Sequence, residues 1–123
     1  MVKTASGYKA QAQLFRALAH PVRLRILEIL GRQEACVCHL TAVLGQRQPY
    51  VSQQLTTLRE AGLVTDRREG TLIYYRLSGD GLARLLEAGR TVAQDLNGEA
   101  LVFPPAPPET LANCPCPRCQ GEA

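Results

Sequence analysis

No apolar run in this 123-residue chain approaches the roughly 20 residues that a membrane-spanning helix needs. The opening stretch MVKTASGYKAQAQ lacks the apolar centre of a signal peptide. The two absences argue against a membrane partner and lead to the expectation of a cytoplasmic protein. An extracellular disulfide framework is also missing. The five cysteines are an odd number, two near position 37 and three within the last ten residues. In a reducing compartment such clusters point to metal binding or thiol chemistry. The alternative, that they are small buried hydrophobes, suits an isolated cysteine better than clustered ones.

The chain that remains is 46% hydrophobic, ordinary for one globular domain with a modest core. Its net charge of +3 is unevenly placed. Residues 1–76 carry eleven Lys/Arg against five Asp/Glu, whereas residues 77–123 carry three against six. A basic first part beside an acidic second part suggests a polyanionic partner for the former.

Helical periodicity dominates the first sixty residues. AQAQLFRALAH sets Leu14, Ala17 and Leu18 on one face, and HPVRLRILEILGR follows with Pro21 at a first helical position and Gly31 as a stop. CVCHLTAVLG and QPYVSQQLTTLREAG then give two short helices joined by a tight turn containing Gly45, a helix-turn-helix pattern. After Gly62 the period switches to two. LVTDRR, a turn at Glu69 and Gly70, and TLIYYRL read as a β-hairpin whose tip carries Arg67 and Arg68. A last helix starts after Ser78 or Asp80, with Leu82, Leu85, Leu86, Val92, Ala93 and Leu96 on one stripe. The fold class is therefore mainly α with a β-hairpin. The stripes of the first and last helices exceed what a small core needs, which suggests a second subunit against Leu14, Leu18, Leu82, Leu86, Val92 and Leu96. An intrachain core fits that pattern equally well.

A polar helix preceded by a shorter one and followed by a basic hairpin meets the needs of duplex recognition. The helix enters the major groove, and hairpin arginines reach phosphates or the minor groove. Gln48, Ser52, Gln53 and Thr56 are the base-reading candidates and Tyr50 a backbone or thymine-methyl contact. Arg47, Arg67 and Arg68 are phosphate candidates. Read singly, each would be a solvated surface group; their order along the chain is what favours DNA.

The stretches ALAHPVRLRILEIL, CVCHL, VSQQLTTLREAGLV and REGTLIYYRL resemble, in order and spacing, the ArsR/SmtB family of bacterial winged-helix metal-sensing repressors. The match covers about residues 12 to 96. It implies a homodimer through the first and last helices, a recognition helix near 48 to 60 and a wing near 65 to 76. It also implies repression in the apo form and release from operator DNA when a metal ion binds. The corresponding division of the chain is a flexible N-terminal arm over 1–12, a winged helix-turn-helix domain over 13–97, and a Pro-rich, Cys-containing flexible tail over 98–123.

The resemblance is uneven at the ligands. Cys36 and Cys38 match the CVC of arsenite, cadmium and lead sensors, but His39 follows where those carry Asp, and Thr41 stands where the arsenic type often has a third cysteine. The last helix contains no histidine, so the zinc-type site is absent, and no cysteine precedes residue 36. The missing donors are expected from CPCPRC, which offers Cys114, Cys116 and Cys119. Seventeen residues separate Leu96 from Cys114, a reach of roughly 50 Å at about 3.1 Å per residue. The tail can thus meet either subunit's pair or form a site of its own. Soft thiolates select soft ions, so As(III) or Cd(II) is the expected inducer, with Zn(II) or another soft ion a further candidate.

Cys36 and Cys38 present a conflict. In a regular helix they would point about 200° apart, so chelation of one ion requires an irregular helix start. The dipole there, and Arg118 in the tail, are expected to lower the thiol pKa values. Ready thiolates would also suit a sensor of oxidants or reactive sulfur, the main rival reading. A thiol oxidoreductase would prefer Cys-x-x-Cys beside a βαβ pattern, so no enzyme is expected. His20, before Pro21, reads as structural or near DNA, and His39 as a solvated or hydrogen-bonded side chain in preference to a further ligand.

Overall fold

The helices begin where local groups can satisfy their first amides. In the computed structural model, which describes residue 4 and residues 6–121, Ser6 Oγ accepts the Lys9 amide at the head of α1 (Gly7–Leu18). His20 Nδ1 accepts the Val22 amide at the head of α2 (Pro21–Arg32). The Cys36 thiol does the same for His39 at the head of α3 (Val37–Leu44). That helix ends at Gly45, whose φ of +63° is a left-handed conformation that glycine adopts at no steric cost. Then come α4 (Gln48–Glu60), with Pro49 in its first turn, and α5 (Asp80–Leu96).

Three strands, β1 (Ala35–Cys36), β2 (Val64–Glu69) and β3 (Leu72–Leu77), form one antiparallel sheet in the order β1-β3-β2. Its register sets Cys36 opposite Tyr74 and Tyr74 opposite Arg67. Side chains directly opposite across a sheet share a face, so these three residues make one row running from the head of α3 to the wing.

Four local readings shift. α1 starts at Gly7, ahead of the AQAQLFRALAH stretch and within the segment expected to be an arm, with Ser6 as its cap. Gly31 does not stop α2, which runs to Arg32. The wing turns at Gly70 and Thr71, so Arg67 and Arg68 are strand residues and not the tip. The residues after α5, expected to be extended and to add little to the fold, return along α2. Arg25 donates to the Pro105 carbonyl (3.1 Å) and Gln33 to that of Glu109 (3.2 Å). Turns at residues 112–121 then bring Cys114 and Cys116 into a buried cluster with Cys36 and Tyr74.

The main core lies between α2, α3, α4 and the sheet, with Ile26, Leu27, Leu40, Val51, Leu55 and Leu58 fully enclosed. Arg23 ties three helices together, donating to Ala17 and Arg16 carbonyls and to Gln54 Oε1. That bond explains why Gln54, on the polar side by pattern, is buried. α5 contributes no fully buried residue: Leu82, Leu85 and Leu86 pack on the core, while Val92 is 53% and Leu96 82% exposed. An Arg90–Glu28 ion pair fastens α5 to α2, and the Phe103 ring lies under Arg90. No described helix is long and apolar enough to cross a membrane.

Leu55→Ala leaves a cavity at the centre of this core on the helix that carries the DNA-reading candidates. It should cost about 3 kcal/mol of unfolding free energy, measurable as a lower denaturant midpoint with an unchanged slope.

Candidate functional site

Cys36 is the last residue of β1 and the N-cap of α3, with φ −85° and ψ 165°, while Cys38 is already helical. The pair therefore straddles a strand-to-helix junction, and the two Sγ atoms lie 2.7 Å apart. The irregular helix start that chelation requires is supplied by sequence order itself, because the sheet register holds Cys36 extended.

The tail completes the arrangement. Cys114 Sγ lies 3.6 Å from Cys38 Sγ and 3.4 Å from Cys116 Sγ. The thiols of Cys36, Cys38, Cys114 and Cys116 all fall within 4.8 Å of one another. Cys119 sits beside them, 3.3 Å from His39 Nδ1. Four converging soft donors suit a tetrahedral divalent ion such as cadmium or zinc, and any three suit the trigonal pyramid of trivalent arsenic. The donor set fits a thiophilic ion held within one chain.

Burial overrides the helix dipole in setting the thiol pKa values. It pushes Cys36 up to about 12, with the neighbouring Cys38 thiol adding to it and the His39 amide opposing. Burial raises Cys38 as well, and takes Cys114 to about 12. At Cys116 the same burial is outweighed by the Cys119 amide and the surrounding thiols, which bring it down to about 7. The expected activation by Arg118 is not seen either, since its guanidinium points at the Glu34 carbonyl and over the Tyr74 ring.

Glu34 links this centre to the wing. Its carboxylate accepts two bonds from Arg67, Nε at 2.9 Å and Nη2 at 2.6 Å, and Arg118 Nη2 lies 3.8 Å from the same carboxylate. The Arg67 hydrogen bond holds the Glu34 carboxyl below its usual range, against the opposing effect of burial. Arg67 also pairs with Glu69 and lies over Tyr74, 4.7 Å from the ring centre. Arg67, a phosphate candidate, is half exposed, and in this structure its guanidinium rests on Glu34 and Glu69.

The remaining DNA candidates lie on or beside α4. Arg47, Gln48, Gln53 and Thr56 are exposed, and Tyr50 and Ser52 half-buried. Thr56 donates to the Ser52 carbonyl, and the Tyr50 hydroxyl lies 3.4 Å from His20 Nε2, which makes His20 a cap and a brace. Arg68 is exposed on β2. The roles of Glu34 and Tyr74 depend on strand register and leave no mark in the sequence. Of the two expectations for His39, solvated or hydrogen-bonded, the second holds: it is buried with Nδ1 beside the Cys119 thiol.

Residues 20–66 match the family model described as "Bacterial regulatory protein, arsR family". The chain is 52% identical over 77 residues to the biofilm growth-associated repressor of Agrobacterium fabrum, a match covering 63% of this chain and 66% of that one. It is 48% identical over 67 residues to the arsenical resistance operon repressor of Escherichia coli, covering 54% of this chain and 57% of the other. The chain thus spans less than two thirds of either curated relative. Among solved structures it resembles the homodimeric winged helix-turn-helix DNA-binding domain of a possible ArsR-family regulator from Mycobacterium bovis. There the TM-score is 0.68 and the identity 31%, covering 84% of this chain and all of that one.

Burial favours the protonated thiol at Cys36, Cys38 and Cys114, and the Cys119 amide and neighbouring thiols favour the thiolate at Cys116. Ligation requires thiolates. Cadmium binding at pH 7 should therefore release about three to four protons per ion, and apparent affinity should rise steeply with pH. Calorimetry in buffers of different ionisation enthalpy measures the number; release of one proton or fewer would mean that the buried thiols do not ligate.

Proposed function

Because the chain belongs to the ArsR/SmtB family of DNA-binding transcriptional repressors, we propose that it is the thiolate-sensing kind: a homodimer on operator DNA, released when a thiophilic ion is captured by Cys36, Cys38, Cys114 and Cys116. The observation that carries this reading is the convergence of those four thiols from two distant stretches of the chain. As(III) and Cd(II) are the proposed inducers, with Zn(II) a further candidate; four sulfurs favour the divalent ions and three suffice for arsenic. Cys119 is a reserve donor at the rim.

The DNA contact assigned to α4 is Gln48, Ser52, Gln53 and Thr56 toward base edges, Tyr50 and Arg47 toward the backbone, and Arg68 from the wing toward phosphate. Arg67 joins them only when Glu34 lets it go. Of the dimer candidates on α1 and α5, Leu18 is buried in this chain's own core and Leu14, Leu82 and Leu86 pack against that core. The dimer contact is therefore assigned first to Val92 and Leu96, with the outer edges of Leu14, Leu82 and Leu86 beside them. Its support is the large exposure of Val92 and Leu96 on a helix with no buried residue. A cytoplasmic location accords with the reduced thiols this reading needs.

When bound, the ion supplies a crosslink between the head of α3 and the tail. The rest is done by the chain. With Cys114 and Cys116 held, Arg118 stays on the Glu34 carbonyl and over Tyr74, and the tail stays docked beside the Glu34–Arg67 pair. The same crosslink fixes the start of α3, on which α4 packs. A ligand that prefers this DNA-incompetent form a hundredfold weakens operator binding by the same factor, about 2.7 kcal/mol.

One observation favours a second reading. The 2.7 Å spacing of Cys36 and Cys38 suits sulfur chemistry between them, so an oxidant or persulfide input on the same frame is the alternative. The three strands are all antiparallel, so a thiol-oxidoreductase βαβ unit finds no support.

An operator-binding titration of the reduced protein against As(III), Cd(II), Zn(II) and a persulfide donor separates these. As(III) or Cd(II) should lower operator affinity about a hundredfold, and Cys36→Ser with Cys38→Ser should abolish the response while leaving apo binding intact. Release by the persulfide donor alone would establish sulfur sensing instead. A metal response undiminished in the double variant would place the site elsewhere.

A further inference from the structure

Cys114 belongs to two overlapping donor sets. It lies with Cys36, Cys38 and Cys116 in one, and with Cys119 and a ring nitrogen of His39 in the other, the donor atoms of each set all within 4.8 Å. The six side chains together exceed the four donors of one tetrahedral ion. His39 is 2% exposed, its Nδ1 faces the Cys119 thiol, and its Nε2 is buried without a hydrogen-bond partner. The buried ring thus presents Nδ1, beside the Cys119 thiol, to this second donor set.

We propose that this centre takes two soft divalent ions, with the Cys114 thiolate bridging them and His39 and Cys119 forming the second ion's subsite. The first ion then has Cys36, Cys38, Cys116 and the shared Cys114. The second has His39, Cys119 and the shared Cys114, with one position open. Charge favours the pair. Four thiolates around one divalent ion leave two negative charges uncompensated in a buried cluster, whereas five thiolates around two such ions leave one. The second subsite is less enclosed, because Cys119 is only half-buried, so it fills second. The proposal rests on the reading of the cysteine centre as a metal site and adds to it a ligand, a subsite and a stoichiometry.

The test is a cadmium titration of the reduced full chain, read by bound metal per chain and by 113Cd NMR, whose shifts move with the number of sulfur ligands. The expected result is two ions per chain and two resonances, one from an all-sulfur site and one from a mixed nitrogen and sulfur site, coupled through the shared thiolate. Cys119→Ser and His39→Asn should each weaken the second ion at least tenfold and keep the all-sulfur resonance. The retained first ion shows that each variant is folded. One ion per chain in the parent overturns the second subsite and leaves the four-thiolate site standing. Two ions that persist in both variants also overturn it, by placing the second ion elsewhere. No bound cadmium overturns this proposal together with the reading beneath it.

Discussion

The change from strand to helix at Cys36 is the constraint on which the rest depends. Pairing of Ala35 and Cys36 with β3 holds Cys36 extended, and the next residue begins α3. Two cysteines that a continuous helix would turn away from each other therefore face the same space. The thiol also caps the helix, accepting the His39 amide, so a group available for ligation is part of what starts α3. A thiol sulfur is a weak acceptor, so drawing the Cys36 sulfur toward another partner readily competes with that bond. Chemistry at the thiol is thereby coupled to the helix next to α4.

A second route leads to the wing. Cys36, Tyr74 and Arg67 form one row across the sheet, and Glu34 binds Arg67 on one side and Arg118 on the other. Arg67 is half exposed, and ion pairs in such positions are modest and screened by salt. In the proposed function such a pair is weak enough for an operator phosphate to displace Glu34 from Arg67. The tail follows a fixed course, with Phe103 under Arg90 and Pro105 and Glu109 tied to α2, which delivers its cysteines to the same chain's α3.

The order of helices, the helix-turn-helix and the hairpin were legible because period 3.6 and period 2 alternate cleanly between glycines. The cysteine pair was visible in the sequence, but spacing alone set its two members apart. The expectation of donors from CPCPRC came from the family resemblance, whose ligand pattern this chain matches only at Cys36 and Cys38. Three things were not legible. Whether Cys36 belongs to a strand depends on pairing with β3, which lies far along the chain. The fate of Arg67 depends on Glu34, a residue with no motif of its own. The thiol pKa values depend on burial by the tail, which reverses the effect a helix start would have on an open thiol. In each case the deciding contact joins residues more than thirty positions apart, where periodicity carries no information.

Everything proposed here requires that Cys114 and Cys116 of the tail join Cys36 and Cys38 of the same chain around the first soft ion bound. The most direct measurement is X-ray absorption at the cadmium edge, comparing the reduced full chain loaded with one equivalent of Cd(II) to a chain truncated after Phe103. The account predicts a shell of about four sulfurs in the full chain, falling to about two sulfurs with oxygen or nitrogen making up the remainder in the truncated one. An unchanged sulfur shell after truncation would contradict it.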